Sequence, residues 1–371
     1  MRRTFLTFLP ALALLAACAA PNGGNSSQSG PVSRGAAAYN RGVEASNRDD
    51  IDVAIGDYSE AINLDPTLSI AYYNRALMYQ RARRFALALA DLNQAIALDA
   101  KDGKLYSVRG LVYSETGKQD LALQDFNQAI ALDPNDALSL GGRGSAYLAR
   151  GSLDLPLEDM TEALRLSPTN AVIFYNRAIV YDKKHDYDRA LADYDAAIRI
   201  DPRSEDALTN RGAVYLTRHN TDAAIQDFTK ALGISPNLTI ALIDRGSAYS
   251  DKGALDLALA DLDHALTVSP KDALAYYNRG VVYAKSGKND RAFADFDQAI
   301  ALDPKLAWAY NNRGVIHAGR REFALAVQDY SMAIKLDPGN GKAIANLGLA
   351  QQHRAGVADF SGLTQTDLTG L

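Results

Sequence analysis

Between Ala273 and Leu306 the apolar residues fall into two helical registers. Tyr276, Gly280 and Tyr283 recur at i, i+4 and i+7, and Ala292, Phe296 and Ala299 repeat that spacing. A polar break, Lys285-Ser286-Gly287-Lys288, separates the two sets. Each set lies on one face of a helix, so the stretch predicts two amphipathic helices joined by a turn. Asp290 stands where an N-cap would accept the orphan N–H groups of the second helix. Leu302-Asp303-Pro304 ends that helix, because proline pushes the residue before it out of helical geometry.

The pattern recurs along most of the chain. Pro66, Pro134, Pro168, Pro202, Pro236, Pro270, Pro304 and Pro338 all fall on one 34-residue ruler, and Ala100 fills the vacant mark. The ruler divides the chain into units 35–68, 69–102, 103–136, 137–170, 171–204, 205–238, 239–272, 273–306 and 307–340. A fixed period of this length is the signature of a solenoid, in which each unit needs its neighbours to bury its apolar face. An aspartate recurs at the place of Asp290 in all units except those carrying Ala86 and Ala324. In the fourth unit Pro156 follows Asp154 by two residues; a proline there has no intrahelical N–H bond to lose, so the helix is expected to survive. Ala100, in place of proline, is expected to soften the corner before the third unit. An aliphatic residue or glycine at Ile344, Leu347 and Gly348 continues the register of a first helix, so 341–356 is expected to form a helix capping the stack, followed by a tail over 357–371.

With positions counted from the start of each unit, the pattern resembles the tetratricopeptide repeat. That family carries an aromatic at position 4, a small residue at 8, tyrosine at 11, alanine at 20, an aromatic at 24, alanine at 27 and proline at 32. Here these are Tyr276, Gly280, Tyr283, Ala292, Phe296, Ala299 and Pro304. The resemblance implies an all-α fold, a right-handed superhelical solenoid of nine helix pairs plus the C-terminal capping helix. A small residue at position 8 is expected to let two helix backbones approach closely.

Two positions depart from the family pattern in every unit. Position 7, usually leucine, is Arg41, Arg75, Arg109, Arg143, Arg177, Arg211, Arg245, Arg279 and Arg313. Position 23, often tyrosine, is Asp57, Asp91, Asp125, Asp159, Asp193, Asp227, Asp261, Asp295 and Asp329. Asp295 lies three residues after Ala292 and four before Ala299, which turns it to the packed side of its helix. The expected arrangement is a ladder of Arg–Asp pairs between helices that fixes their register; the alternative is a charged stripe for a partner.

The opposite face of the first helix lines the concave groove in this family. Position 6 is asparagine at Asn40, Asn74, Asn176, Asn210, Asn278 and Asn312, and position 5 is tyrosine at Tyr39, Tyr73, Tyr175 and Tyr277. An amide both donates and accepts, so a row of asparagines can bond successive backbone groups of an extended peptide without reading its side chains. Tyrosines would add rigid amphipathic contact area. This resembles the asparagine ladder of the superhelix in O-linked GlcNAc transferase; alternatively the asparagines bond only within the repeats. The Lys/Asn and Lys/Arg pattern of chaperone-binding carboxylate clamps is not met by any three successive units.

The first 17 residues have a different pattern. Arg2 and Arg3 precede an apolar run from Phe5 to Ala17 that is too short to span a bilayer and reads as a secretory signal. Leu15-Ala16-Ala17-Cys18 resembles the bacterial lipobox, in which the cysteine thiol is acylated and becomes the new N-terminus. Cys18 is the sole cysteine, so no intrachain disulfide forms. The alternative is an ordinary signal cleaved nearby. Ala19, rather than an aspartate, after the cysteine points to the outer membrane in preference to the inner. Residues 18–34 form the lipidated cysteine and a Gly/Ser/Asn-rich tether.

Composition narrows the function. Of 371 residues 47% are apolar and 22% charged, with a net charge of −5, so nothing favours nucleic acid as a partner. His185, His219, His264, His317 and His353 form no metal-ligand spacing, and no HExxH, phosphate-loop or GxSxG motif occurs. The expectation is a non-catalytic scaffold or adaptor without cofactor or metal, on the periplasmic side of a bacterial envelope. It would bind proteins or extended peptides, or assist outer-membrane protein or pilus assembly. The alternative is a self-associating structural protein, a homo-oligomer.

Overall fold

A computed structural model describes residues 34–354, so the signal, Cys18, the tether and the tail lie outside the described residues. Nineteen helices and no strand occur among the described residues. They part into two compact units between Pro202 and Arg203. The first holds α1 (Arg34–Asn47), α2 (Ile51–Leu64), α3 (Ser69–Arg81), α4 (Phe85–Leu98), α5 (Gly103–Glu115), α6 (Gln119–Leu132), α7 (Ala137–Ala149), α8 (Leu155–Leu166), α9 (Ala171–Lys183) and α10 (Tyr187–Ile200). The second holds α11 (Glu205–Thr217), α12 (Thr221–Ile234), α13 (Thr239–Asp251), α14 (Leu255–Val268), α15 (Ala273–Lys285), α16 (Asn289–Leu302), α17 (Ala307–Gly319), α18 (Phe323–Leu336) and α19 (Gly341–Arg354). Odd and even helices pair within each repeat, and within each unit successive pairs stack.

Both ends of the second helices repeat closely. Each turn into a second helix passes through one residue of left-handed backbone at position 15. Glycine supplies it at Gly117, Gly151, Gly253 and Gly287, and Asp49, Arg83, His185, His219 and Arg321 adopt it without glycine. At the far end, Asp303 before Pro304 is extended, at φ −133 and ψ 92. Asp99, before Ala100, has nearly the same geometry, φ −140 and ψ 86, and its N–H bonds Ala95 in the same way. The corner without proline is therefore as tightly closed as the others. Pro156 is accommodated at the start of α8.

One local expectation is corrected. The N-cap of α16 is Lys288, and Asp290 lies inside the first turn, where its carboxylate meets the Arg320 guanidinium of the next repeat at 2.5 Å. Asp120 and Asp222 likewise pair with Arg150 and Lys252, whereas Asp154 is the N-cap residue of α8, its carboxylate turned to Lys184 and making no cap bond. The small residue at position 8 makes room for a side chain as well as for the backbone: a Cβ on Gly144, Gly246 or Gly280 would stand 3.2–3.3 Å from a carbonyl oxygen of the paired helix. A Cβ on Gly42, Gly110, Gly144, Gly212, Gly246, Gly280 or Gly314 would come within 2.6–2.9 Å of the position-24 side chain of the paired helix. Phe126, Phe228 and Phe296 fill that position with no exposure. Full burial of such a side chain contributes about 1.5–3 kcal/mol, and a ring sits on the glycine in the pairs of Gly42, Gly110, Gly212, Gly280 and Gly314.

Candidate functional site

The arginine ladder is the most regular polar feature. Arg75, Arg109, Arg143, Arg177, Arg211, Arg245, Arg279 and Arg313 each donate Nε and Nη2 to the two carboxylate oxygens of the aspartate sixteen residues on, at 2.7–2.9 Å. This is the bidentate geometry that suits a planar guanidinium. The paired aspartates from Asp91 to Asp329 are buried. The terminal pair is looser: Arg41 is half-exposed, reaches Asp57 with Nε at 3.1 Å and gives Nη2 to Glu60.

Seven of the inner arginines also reach back one repeat. Nη1 donates to the side chain at position 25 of the preceding repeat: Ser59 for Arg75, Asn93 for Arg109, Asn127 for Arg143, Thr161 for Arg177, Thr229 for Arg245, Asp263 for Arg279 and Asp297 for Arg313. One guanidinium thus joins three helices. The aromatics at positions 4 and 11 flank it, at 5.8 and 5.7 Å for Tyr72 and Tyr79 around Arg75 and at 5.5 and 5.7 Å for Tyr276 and Tyr283 around Arg279. Ring faces are negative, so the sandwich stabilises the cation while excluding water. The aspartate bond raises the pKa of Arg279 and Arg313 further above an already high value, against the opposing effect of burial. These groups stay charged and paired, as bolts between helices.

The sandwich and the backward bond were not anticipated from sequence. A signal for the latter exists: position 25 is a small hydrogen-bonding residue in every unit, from Ser59 to Ser331.

The first-helix face departs from the expected groove. Tyr39, Tyr73, Tyr175 and Tyr277 are buried, at 1–5% exposure. Tyr39, Tyr175 and Tyr277 pack against Tyr58, Tyr194 and Phe296, with ring centroids 5.8–6.1 Å apart. They offer no contact area to a ligand, because the paired second helix covers them. Burial raises the Tyr277 hydroxyl pKa, partly offset by the Asn312 bond.

Three of the asparagines are structural links between repeats. Asn74 Nδ2 donates to the Tyr39 hydroxyl at 2.9 Å, Asn312 Nδ2 to the Tyr277 hydroxyl at 3.4 Å and Asn176 Nδ2 to Ser145 Oγ at 2.8 Å. All three asparagines are buried, at 0–2% exposure. Asn40 is exposed, and Asn210 and Asn278 are half-buried, so of the six these are the ones a partner can reach.

The second unit also contains a cleft of about 240 Å³ beside α17, walled by Trp308, Asn311, Asn312, Asp337, Asn340 and Lys342. Trp308, the sole tryptophan, leans on Tyr277 with centroids 6.3 Å apart. Asn311 Nδ2 donates to Asn312 Oδ1 at 3.1 Å, and Asn346 Nδ2 to Asn311 Oδ1 at 3.2 Å, so the buried wall is a linked amide chain. The cleft combines one aromatic face, amides and a charge of each sign. Sequence reading missed it, because it forms only where the loop 337–341 turns into α19.

Among the described residues no helix is long and apolar enough to cross a membrane, and no group of three or more His, Cys, Asp or Glu side chains is placed to hold a metal ion.

Comparison with known proteins agrees with this construction. Profiles described as TPR repeat match residues 110–151 and 246–287. Profiles described as tetratricopeptide repeat match 171–204, 273–306 and 307–340, and also 70–102 and 205–238. Together they cover well over half of the chain. No curated protein matches it. Among solved structures, a tetratricopeptide repeat protein from Parabacteroides merdae ATCC 43184 aligns with a TM-score of 0.54 and 24% identity, over 67% of this chain and 99% of that one. A chain of the APC/C hetero-tetramer Cut9-Hcn1 aligns with a TM-score of 0.57 and 16% identity, over 87% of this chain and 77% of that one. These likenesses concern the fold. Proteins built on this repeat are in general non-catalytic scaffolds for protein interaction. On its helix pairs, its repeat period and these matches, the chain belongs to the tetratricopeptide repeat family.

Proposed function

We propose that the protein is a non-catalytic scaffold that binds protein or extended peptide segments along its first-helix faces, at the periplasmic side of a bacterial envelope. The observation that carries the reading is a division of labour within the repeat. The charged ladder and the tyrosines are consumed in holding helices together, while Asn40, Asn210, Asn278 and the Trp308 cleft remain accessible. In the second unit, Asn278 and Trp308 sit on consecutive first helices, which suits a ligand laid across repeats. Weak contacts over several repeats add, and a lipid on Cys18 would raise the local concentration at the membrane, with the outer membrane as its destination. Such a scaffold could serve outer-membrane protein or pilus assembly as an accessory factor.

The test is capture of envelope peptides by the full chain and by the variant Asn278→Arg/Trp308→Ala. The expected result is at least about a tenfold loss of affinity, equal to about 1.4 kcal/mol, with unchanged helicity. Undiminished capture by the folded variant overturns the reading.

A further inference from the structure

On a first-helix face of the first unit stands a carboxylate that the fold positions but does not neutralise. Glu115 closes α5 at position 13, one turn after Leu111 and two after Val108, so it shares the face of positions 6 and 9. Gln80 of α3, in the preceding repeat, is buried at 9% exposure and donates Nε2 to Glu115 Oε1 at 2.7 Å. That amide fixes one oxygen; the other has no hydrogen bond or ion pair among the described residues. Burial pushes the Glu115 carboxyl up, against the opposing effects of the Gln80 bond and of the more distant Arg83. Elsewhere position 13 is answered within the chain: Arg81 meets Asp49 at 2.7 Å, and Lys285 meets Asp251 at 3.4 Å. Glu115 has no such answer. Arg83 lies over the Phe85 ring at 5.6 Å, and position 13 of the next repeat is Ala149. The residues outside the described range offer no cation either: 355–371 contain no lysine or arginine, and 1–33 contain only Arg2 and Arg3, in the expected signal.

We infer that Glu115, held by Gln80, is a specificity subsite that takes a lysine side chain of a bound extended peptide. The inference rests on the proposed peptide-binding role of the first-helix faces and adds to it the charge of the ligand. A half-buried carboxylate gives up hydration that one neutral amide replaces only in part, so a cation brought by a ligand meets a partner already placed and not yet paired. With Oε1 held by Gln80, Oε2 is the open acceptor. One open oxygen suits the point charge of an ammonium better than the two-pronged guanidinium, which seeks both oxygens, as the ladder arginines do. The subsite lies in the first unit and is separate from Asn278 and the Trp308 cleft of the second.

The experiment is fluorescence anisotropy of the full chain in mild detergent with labelled, capped peptides that carry lysine, glutamate or glutamine at the same places in one alanine/serine background. Glu115→Gln keeps an acceptor for Gln80 and removes the charge. Asp256→Asn removes one exposed charge from the first turn of α14 and controls for net charge. The parent is expected to bind the lysine peptide at least about tenfold more tightly than the glutamine peptide, and the glutamate peptide least. Asp256→Asn should keep that preference, and Glu115→Gln should lose it while melting no lower than the parent. A preference that survives Glu115→Gln, or falls equally in Asp256→Asn, belongs to overall charge and overturns the inference. A Glu115→Gln variant that melts lower yet keeps the preference shows a purely structural carboxylate and also overturns it. Equal binding of the lysine and glutamine peptides by the parent overturns the inference and leaves the scaffold reading standing. Binding of none of the three overturns the inference, while capture through Asn278 and Trp308 still tests the scaffold reading by itself.

Discussion

Asp261 and Asp295 hold equivalent places, but their arginines differ in what else they hold. Arg245 has the neutral Thr229 hydroxyl as its backward partner, whereas Arg279 has the Asp263 carboxylate at 2.7 Å. Removing one partner of a buried pair costs about 3–5 kcal/mol, chiefly because a lone charge is left behind. Asp261→Ala is therefore expected to lower the melting temperature more than Asp295→Ala, which leaves its arginine still paired. Thermal melts of the two variants check this; an unchanged melt for both contradicts the structural role of the ladder. The turn residues give a prediction of opposite sign. His219 is held at φ 59, where a Cβ is strained, and four other repeats use glycine at that place. His219→Gly is expected to stabilise the protein by about 0.5–1 kcal/mol in a denaturant titration, the relief of strain exceeding the added chain entropy. The ladder was legible in sequence because charges recurring at a core-adjacent position in every unit leave few other uses. The tyrosines at position 5 were not. A first helix is packed by its own second helix, by the preceding second helix and by neighbouring first helices, so little of its circumference stays open. A helical wheel of one repeat cannot show which residue the next repeat covers.

At the scale of the helix pair, the glycine and its ring are one unit. A Cβ at Gly280 would stand 2.7 Å from Phe296 Cε1, so Gly280→Ala must displace a fully buried ring. Alanine is tolerated at position 8 in the repeats of Ala76 and Ala178, whose position-24 residues, Leu92 and Tyr194, are fully buried. The expected cost of Gly280→Ala is therefore at the lower part of the overpacking range, about 1–3 kcal/mol. Gly348→Ala, with nothing within 4 Å among the described residues, should cost no folding stability. Comparing the two by chemical denaturation separates a packing requirement from a mere helix-propensity effect, which would make both variants more stable. The helices themselves were readable from the 3.6-residue pattern. The capping residues of the second helices were not, because several polar residues cluster at each turn and only geometry shows which of them precedes the first helical residue. Asp290 satisfied a sequence rule for a cap, yet its carboxylate is drawn to Arg320 of the next repeat.

For the whole molecule, the repeat sum exceeds any one site. Two compact units each bury a core through neighbouring pairs. The period made this architecture legible; the cleft at Trp308 was hidden, since it arises where the period stops. The proposed membrane attachment rests on Cys18 alone. A Cys18→Ala chain is expected to leave the membrane fraction, and retention there after a carbonate wash contradicts the anchor. The scaffold reading itself is tested most directly by crosslinking in the native envelope. A photoreactive residue at position 278 should capture a discrete polypeptide partner, while the same residue at position 257, exposed on the second-helix face, should not. Capture that is equal at both positions, or absent at 278 in a folded, membrane-attached protein, contradicts binding along the first-helix face.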